Sequence, residues 1–145
     1  MRKKISKTKR RLGVIVNYLS LIIVVILFYI VKHEGWHNLM ITGMFAALLL
    51  TVITFITVHL KTGLWKFVHT KIEQLDEREI QVTHESLRYS YSILSVILLV
   101  IIFIMSLAAT GNDVLGPVLP TSLIYLAHTL PSSVIAWTEN EISHG

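Results

Sequence analysis

The sequence predicts an all-α membrane protein: four transmembrane helices in two hairpins, with the third helix extended into the cytoplasm. Composition gives the first indication. Of 145 residues, 53% are hydrophobic and only 15% charged, and mean hydropathy is positive. A soluble domain of this size carries more charge, because its surface must be wetted. Apolar length gives the second. A helix rising about 1.5 Å per residue needs about 20 apolar residues to cross roughly 30 Å of hydrocarbon. Four stretches reach that length: Leu12–Val31, Leu39–His59, Tyr89–Ala109 and Pro117–Trp137. Helices are expected for them, because lipid offers backbone groups no hydrogen-bond partners. Charge segregation is the third. Seven of the thirteen Lys and Arg residues lie between Arg2 and Arg11, five between Lys61 and Arg88, and only Lys32 falls elsewhere.

The first stretch follows a basic start, as a secretory signal does. Its apolar run is too long for one, and Val31-Lys32-His33 offers no small-residue cleavage site. It reads as an uncleaved anchor whose basic N-terminus stays inside. Alternation then places Lys61–Arg88 inside as well, so that twelve of thirteen basic residues are cytoplasmic. The expected localisation is the cell inner membrane, multi-pass, with both termini cytoplasmic. Trp36, Trp65 and Trp137 fall at expected interfaces, where amphipathic rings prefer to sit. The basic pI belongs to this orientation, and no nucleic-acid partner is expected.

The second stretch contains Gly43-x-x-x-Ala47, a small-residue pattern for close helix packing. Gly63 suits its end, and Trp65, Phe67 and Val68 are expected along the membrane surface. Within the polar segment, Thr70-x-x-Glu73 has the form of a capping box. Nothing breaks a helix after it until Gly111, so one helix is expected over Lys71–Ala109. Arg78→Pro should then break its cytoplasmic part. The whole chain, residues 1–145, reads as a single membrane domain.

Several residues could carry chemistry. The absence of Cys excludes disulfides, thiolate metal sites, covalently attached haem and Cys nucleophiles. His33-Glu34-Gly35-Trp36-His37 has the form of a zinc-protease signature, with His33 and His37 as metal ligands and Glu34 as general base. Its setting is a short turn between spans, Gly35 weakens a helix there, and Asp113 is the only nearby outer candidate for a third ligand. A polar loop at the headgroups, anchored by Trp36, is the reading preferred. No cofactor is expected, with zinc the one to test.

His128 is the strongly polar ionisable residue deep in a span, and Pro131 three residues on frees the Ala127 carbonyl. His128, Thr129 and Pro131 therefore form a candidate intramembrane polar site facing the interior. The preferred alternative is that His128 and Thr129 hydrogen-bond across the bundle as glue. The Thr51, Thr54, Thr57 and Ser90, Ser92, Ser95 runs read as a pore lining or, more commonly, as interhelical bonding. Asn17 is placed near the inner end as an interfacial group. A haem would need two His at matching depth, and His59 is assigned to the inner end, far from His128.

The polar segment Leu75–Arg88 supplies the expected partner contact: Asp76, Glu77, Arg78, Glu79 and His84. Glu77, Gln81 and His84 share one helical face, and Glu85 is expected to pair with Arg88 as part of a solvated surface. The D-E-R-E run entering a membrane helix through an Arg, with the closing L-P-x-x-x-x-A-W, resembles small uncharacterised bacterial four-helix inner-membrane proteins. The likeness covers Leu75–Tyr91 and Leu130–Trp137, and it implies a bacterial four-helix protein without an activity. The function expected is a non-enzymatic membrane subunit or regulator, contacting a protein partner or another copy on the cytoplasmic side. A small transporter or channel using His128 is the alternative, and an outer-face metal-binding protein or membrane metalloenzyme the third.

Overall fold

The computed structural model describes residues 6–35, 37–107 and 117–139. Every regular element among them is helical. Helix α1 runs Lys7–Glu34, and α2 runs Asn38–Phe55 and continues into a π-helical turn, Ile56–Leu60. A short α3 spans Leu64–His69, a 3-10 turn spans Ile72–Gln74, and α4 and α5 span Glu77–Leu107 and Val118–Thr138. Among the described residues, three stretches are long and apolar enough to cross a membrane: Lys7–Glu34, Asn38–Leu60 and Val118–Thr138. The end of the expected third span, residues 108 and 109, lies outside the described residues.

The helices form a row. α2 lies against α1, α1 against α5 and α5 against α4, while α3 tucks under α5 and the π turn. The apolar–polar distribution is inverted relative to a soluble bundle. Leu12, Leu19, Ile22, Ile26, Phe45 and Leu49 are among many large apolar side chains that are exposed. Buried positions hold more polar than apolar side chains, Asn17, Thr51, His59, Ser86, Thr129 and Ser132 among them. Such an arrangement suits an apolar solvent, which solvates Leu and Ile but leaves hydroxyls and amides to satisfy one another.

The turn between α1 and α2 is set by Gly35, whose φ of 98° lies where a side chain is strained. Gly63 does the same after the π turn, with φ 81°, as the sequence suggests for the end of the second helix. The π turn itself is not legible beforehand. The Lys61 amide reaches back to the Ile56 carbonyl at 2.9 Å, a five-residue step. The step turns both Val58 and His59 inward, and both are buried.

A small apolar core sits at this end of the bundle. Val14, Val58, Leu64, Ile135 and Ala136 form it, with Tyr18, Val68 and Val82 packed around. Gly13 is required there, because a β-carbon on it would overlap Val58. α3 therefore does more than lie at a surface: Leu64 is fully buried, and Trp65 meets Phe55 edge-on at 5.4 Å between ring centroids.

The helix expected from Lys71 begins six residues later. Thr70 to Gln74 form a bend and the 3-10 turn, and the capping box is built by Asp76 and Glu79 instead. The Glu79 amide donates to Asp76 Oδ1 at 2.7 Å, and the Asp76 amide donates to Glu79 Oε2 at 3.1 Å. A carboxylate accepts such bonds as well as a hydroxyl does and adds charge that favours the helix N-terminus. From Glu77 the helix is continuous to Leu107.

Candidate functional site

Two polar layers run through the bundle. In the first, Asn17 is fully buried and ties three helices together. Its Nδ2 donates to the Thr51 carbonyl at 3.0 Å and to Thr54 Oγ1 at 2.9 Å, and Tyr125 Oη donates to its Oδ1 at 3.0 Å. Ser20 Oγ lies 2.8 Å from Thr51 Oγ1. Asn17 is thus a central hydrogen-bonding hub and not the interfacial group expected. Thr51 and Thr54 point into this layer, whereas Thr57 bonds only its own helix, at the Ile53 and Thr54 carbonyls.

In the second layer, Tyr18 Oη lies 2.7 Å from Ser133 Oγ and 3.3 Å from Thr129 Oγ1. One turn away, Ser132 Oγ meets His59 Nδ1 at 2.7 Å and also donates to the Thr129 carbonyl at 2.9 Å. His59 has no exposed surface, and its Nε2 has no hydrogen-bond partner. The buried imidazole is therefore His59; it lies toward the clasp end, where sequence reasoning placed it, but inside the bundle against Ser132. Its position eight residues after Thr51 puts it on the Thr51 face of a 3.6-residue helix, and that spacing is the signal that could have found it.

His128 is exposed, with Nδ1 2.9 Å from the Ile124 carbonyl. Of its companions in the candidate site, Thr129 is buried toward Tyr18, whereas Pro131 is buried but shares the His128 face of α5. His128 lines a cavity of about 360 Å³ between α3, α4 and α5, together with His69, Ser90, Tyr91 and Pro131. His69 is a second histidine that sequence reasoning passed over. Ser90 bonds the Ser86 carbonyl at 2.6 Å, while Ser92 and Ser95 are exposed and bond the carbonyls of Arg88 and Tyr91.

At the turn, His33 closes α1 and meets the Tyr29 ring at a tilt of 51°, 5.1 Å between centroids, and His37 is the N-cap of α2. Gly35 separates them, so they do not share one helix. Trp36 and Asp113 lie outside the described residues. Among the described residues, no group of three or more His, Asp and Glu side chains is placed to hold a metal ion.

The far end of the bundle is a clasp. Lys7 Nζ donates to the Thr138 carbonyl at 3.0 Å, Arg10 Nη2 to the Glu139 carbonyl at 2.9 Å and Arg11 Nη2 to the Trp137 carbonyl at 2.8 Å. Arg11 also lies over the Trp137 ring, 4.8 Å from its centroid. Cations at the last carbonyls of α5 satisfy orphan acceptors and oppose the helix dipole. Arg78 joins the clasp through Glu139 Oε2 at 2.9 Å. Of the expected partner-contact residues, Asp76 and Glu79 are occupied by the cap and Arg78 by this ion pair. Glu77 and His84 are exposed. Glu85 pairs with Gln81 at 3.1 Å, and Arg88 lies over Tyr89. Compared with known proteins, the chain matches no family model, no curated protein and no solved structure.

Proposed function

We propose that this chain is a non-enzymatic, four-pass subunit or regulator of the bacterial inner membrane, acting through the cytoplasmic base of α4. The observation that supports this reading is the exposed face carrying Glu77, His84 and Glu85 on a rigidly capped helix. Exposed charge on a fixed scaffold is a recognition surface for a basic partner, or for the basic segment of another copy. The interior adds weight to it. The hydroxyls and the amide of the two polar layers are bonded to one another across helices, which is what packing glue requires.

The test replaces His84 with a photo-crosslinking amino acid in native membranes. A discrete adduct is expected, weakened by Glu77→Lys with Glu85→Lys and weakened further by salt, which screens exposed charge. Asp76 and Glu79 are left intact, because changing them would unmake the cap. Absence of any adduct, or one indifferent to the charge reversal, would remove the reading. Loss of activity in His128→Leu alone would put the intramembrane site in its place.

A further inference from the structure

The cavity between α3, α4 and α5 has a consistent hydrogen-bonding character. His69 Nδ1 lies 2.8 Å from the Trp65 carbonyl, and His128 Nδ1 lies 2.9 Å from the Ile124 carbonyl. A carbonyl only accepts, so each Nδ1 carries a proton, and in the tautomer this selects the lone pair is on Nε2. Both rings line the chamber. Ala127 and Pro131 line it too, and proline has no N–H to give the Ala127 carbonyl four residues back. Val68, Leu87 and Leu94 supply apolar wall. Beside the hydroxyls of Ser90 and Tyr91, the chamber thus offers acceptors in a largely apolar setting.

Its size and surroundings narrow the ligand. About 360 Å³ is far more than a metal ion fills and falls in the range of small-molecule sites. An anion would meet lone pairs. An ammonium would find no carboxylate on the chamber wall. What remains is a neutral molecule that donates hydrogen bonds. A route in exists as well: a second groove, lined by His84, Glu85 and Arg88, shares Leu87 and Tyr91 with the chamber. Polar at its mouth and apolar within, the combined cleft suits an amphiphile.

We infer that this chamber binds a neutral, ring-bearing amphiphile of the hydroquinone class, whose hydroxyls donate to His69 and His128. Tyr91 and the wall of Leu87 and Leu94 receive the ring and the start of its tail. The oxidised quinone has carbonyls in place of hydroxyls and loses those donors, so the site should prefer the reduced form.

The experiment uses the full chain in phosphatidylethanolamine–phosphatidylglycerol nanodiscs and a tritiated decyl-hydroquinone kept reduced with dithionite, with empty nanodiscs as the baseline. Saturable binding above baseline is expected, with the matching quinone roughly tenfold weaker, about the value of one good hydrogen bond per ligand. His69→Phe and His128→Phe should each reduce the preference for the reduced form, because ring size is kept and the acceptor removed. Leu94→Trp fills the chamber from α4 and should abolish binding, which keeps the test decisive if a histidine variant fails to fold. Non-saturable uptake, equal or stronger binding of the quinone, or indifference to Leu94→Trp would each overturn the inference.

Discussion

Removing Asn17 would strand the Tyr125 phenol and take one interhelical partner each from the Thr51 carbonyl and the Thr54 hydroxyl, which keep only bonds within their own helix. In an apolar solvent such groups find few substitutes, although interhelical hydrogen bonds in membranes average only about 0.6 kcal/mol and reach about 1.7. Asn17→Leu is therefore expected to destabilise the bundle by about 1–2 kcal/mol, read as the midpoint shift in reversible unfolding from mixed micelles. Ser95→Ala, which removes only a bond to the residue's own helix, should be close to neutral. Equal effects would show that the polar layers do not hold the helices together. The histidines of the α1–α2 turn make the opposite case. His33 is exposed and His37 caps α2 without a side-chain hydrogen bond, so His33→Ala with His37→Ala should leave insertion and the unfolding midpoint unchanged. Stoichiometric tight zinc in the purified wild-type protein, absent from that variant, would assign the turn a metal role.

The base of α4 turns on one position at the scale of the element. Because the helix starts at Glu77, Arg78 is in its first turn, where proline is tolerated since the amide has no partner to lose. Arg78→Pro should accordingly leave the helix intact and cost only the ion pair with Glu139, about 0–1 kcal/mol at this exposed site. Thr83→Pro, two turns in, should cost about 3 kcal/mol or more by breaking a main-chain bond and clashing with the preceding turn. Limited proteolysis of residues 77–88 distinguishes them: protection should persist in the first and vanish in the second. The sequence-based boundary at Lys71 erred because two capping boxes compete within ten residues, and local pattern does not rank Thr70 with Glu73 against Asp76 with Glu79. The long apolar helices were legible because length and hydropathy are properties of a run. His59, the π turn and the Asn17 hub were not, because each depends on which helices become neighbours. The clasp residues were visible as a basic block, but the carbonyls that they bind belong to residues more than a hundred positions away.

The row of helices imposes a consistency condition on topology for the whole molecule. Lys7, Arg10 and Arg11 touch the last carbonyls of α5, and Arg78 touches Glu139, so the start of α1, the end of α5 and the base of α4 share one end. The α1–α2 turn at Gly35 is at the other, a helix of 28 residues away. One label therefore fixes the rest. Cations resist transfer across a membrane and are retained inside, so the proposed orientation has the clasp end in the cytoplasm. The chain has no Cys, so a single introduced one is a unique reporter. Asn38→Cys should react with a membrane-impermeant maleimide in intact cells, while Glu77→Cys should react only after permeabilisation. Both residues are exposed, so failure to label would not come from burial in the bundle. If Glu77→Cys and a tag after Glu139 labelled on opposite sides, the clasp itself would be refuted, because its ion pair and carbonyl contacts require both at one surface. If the two labelled together from outside, the clasp would stand and the positive charge would have been carried across, overturning the orientation alone.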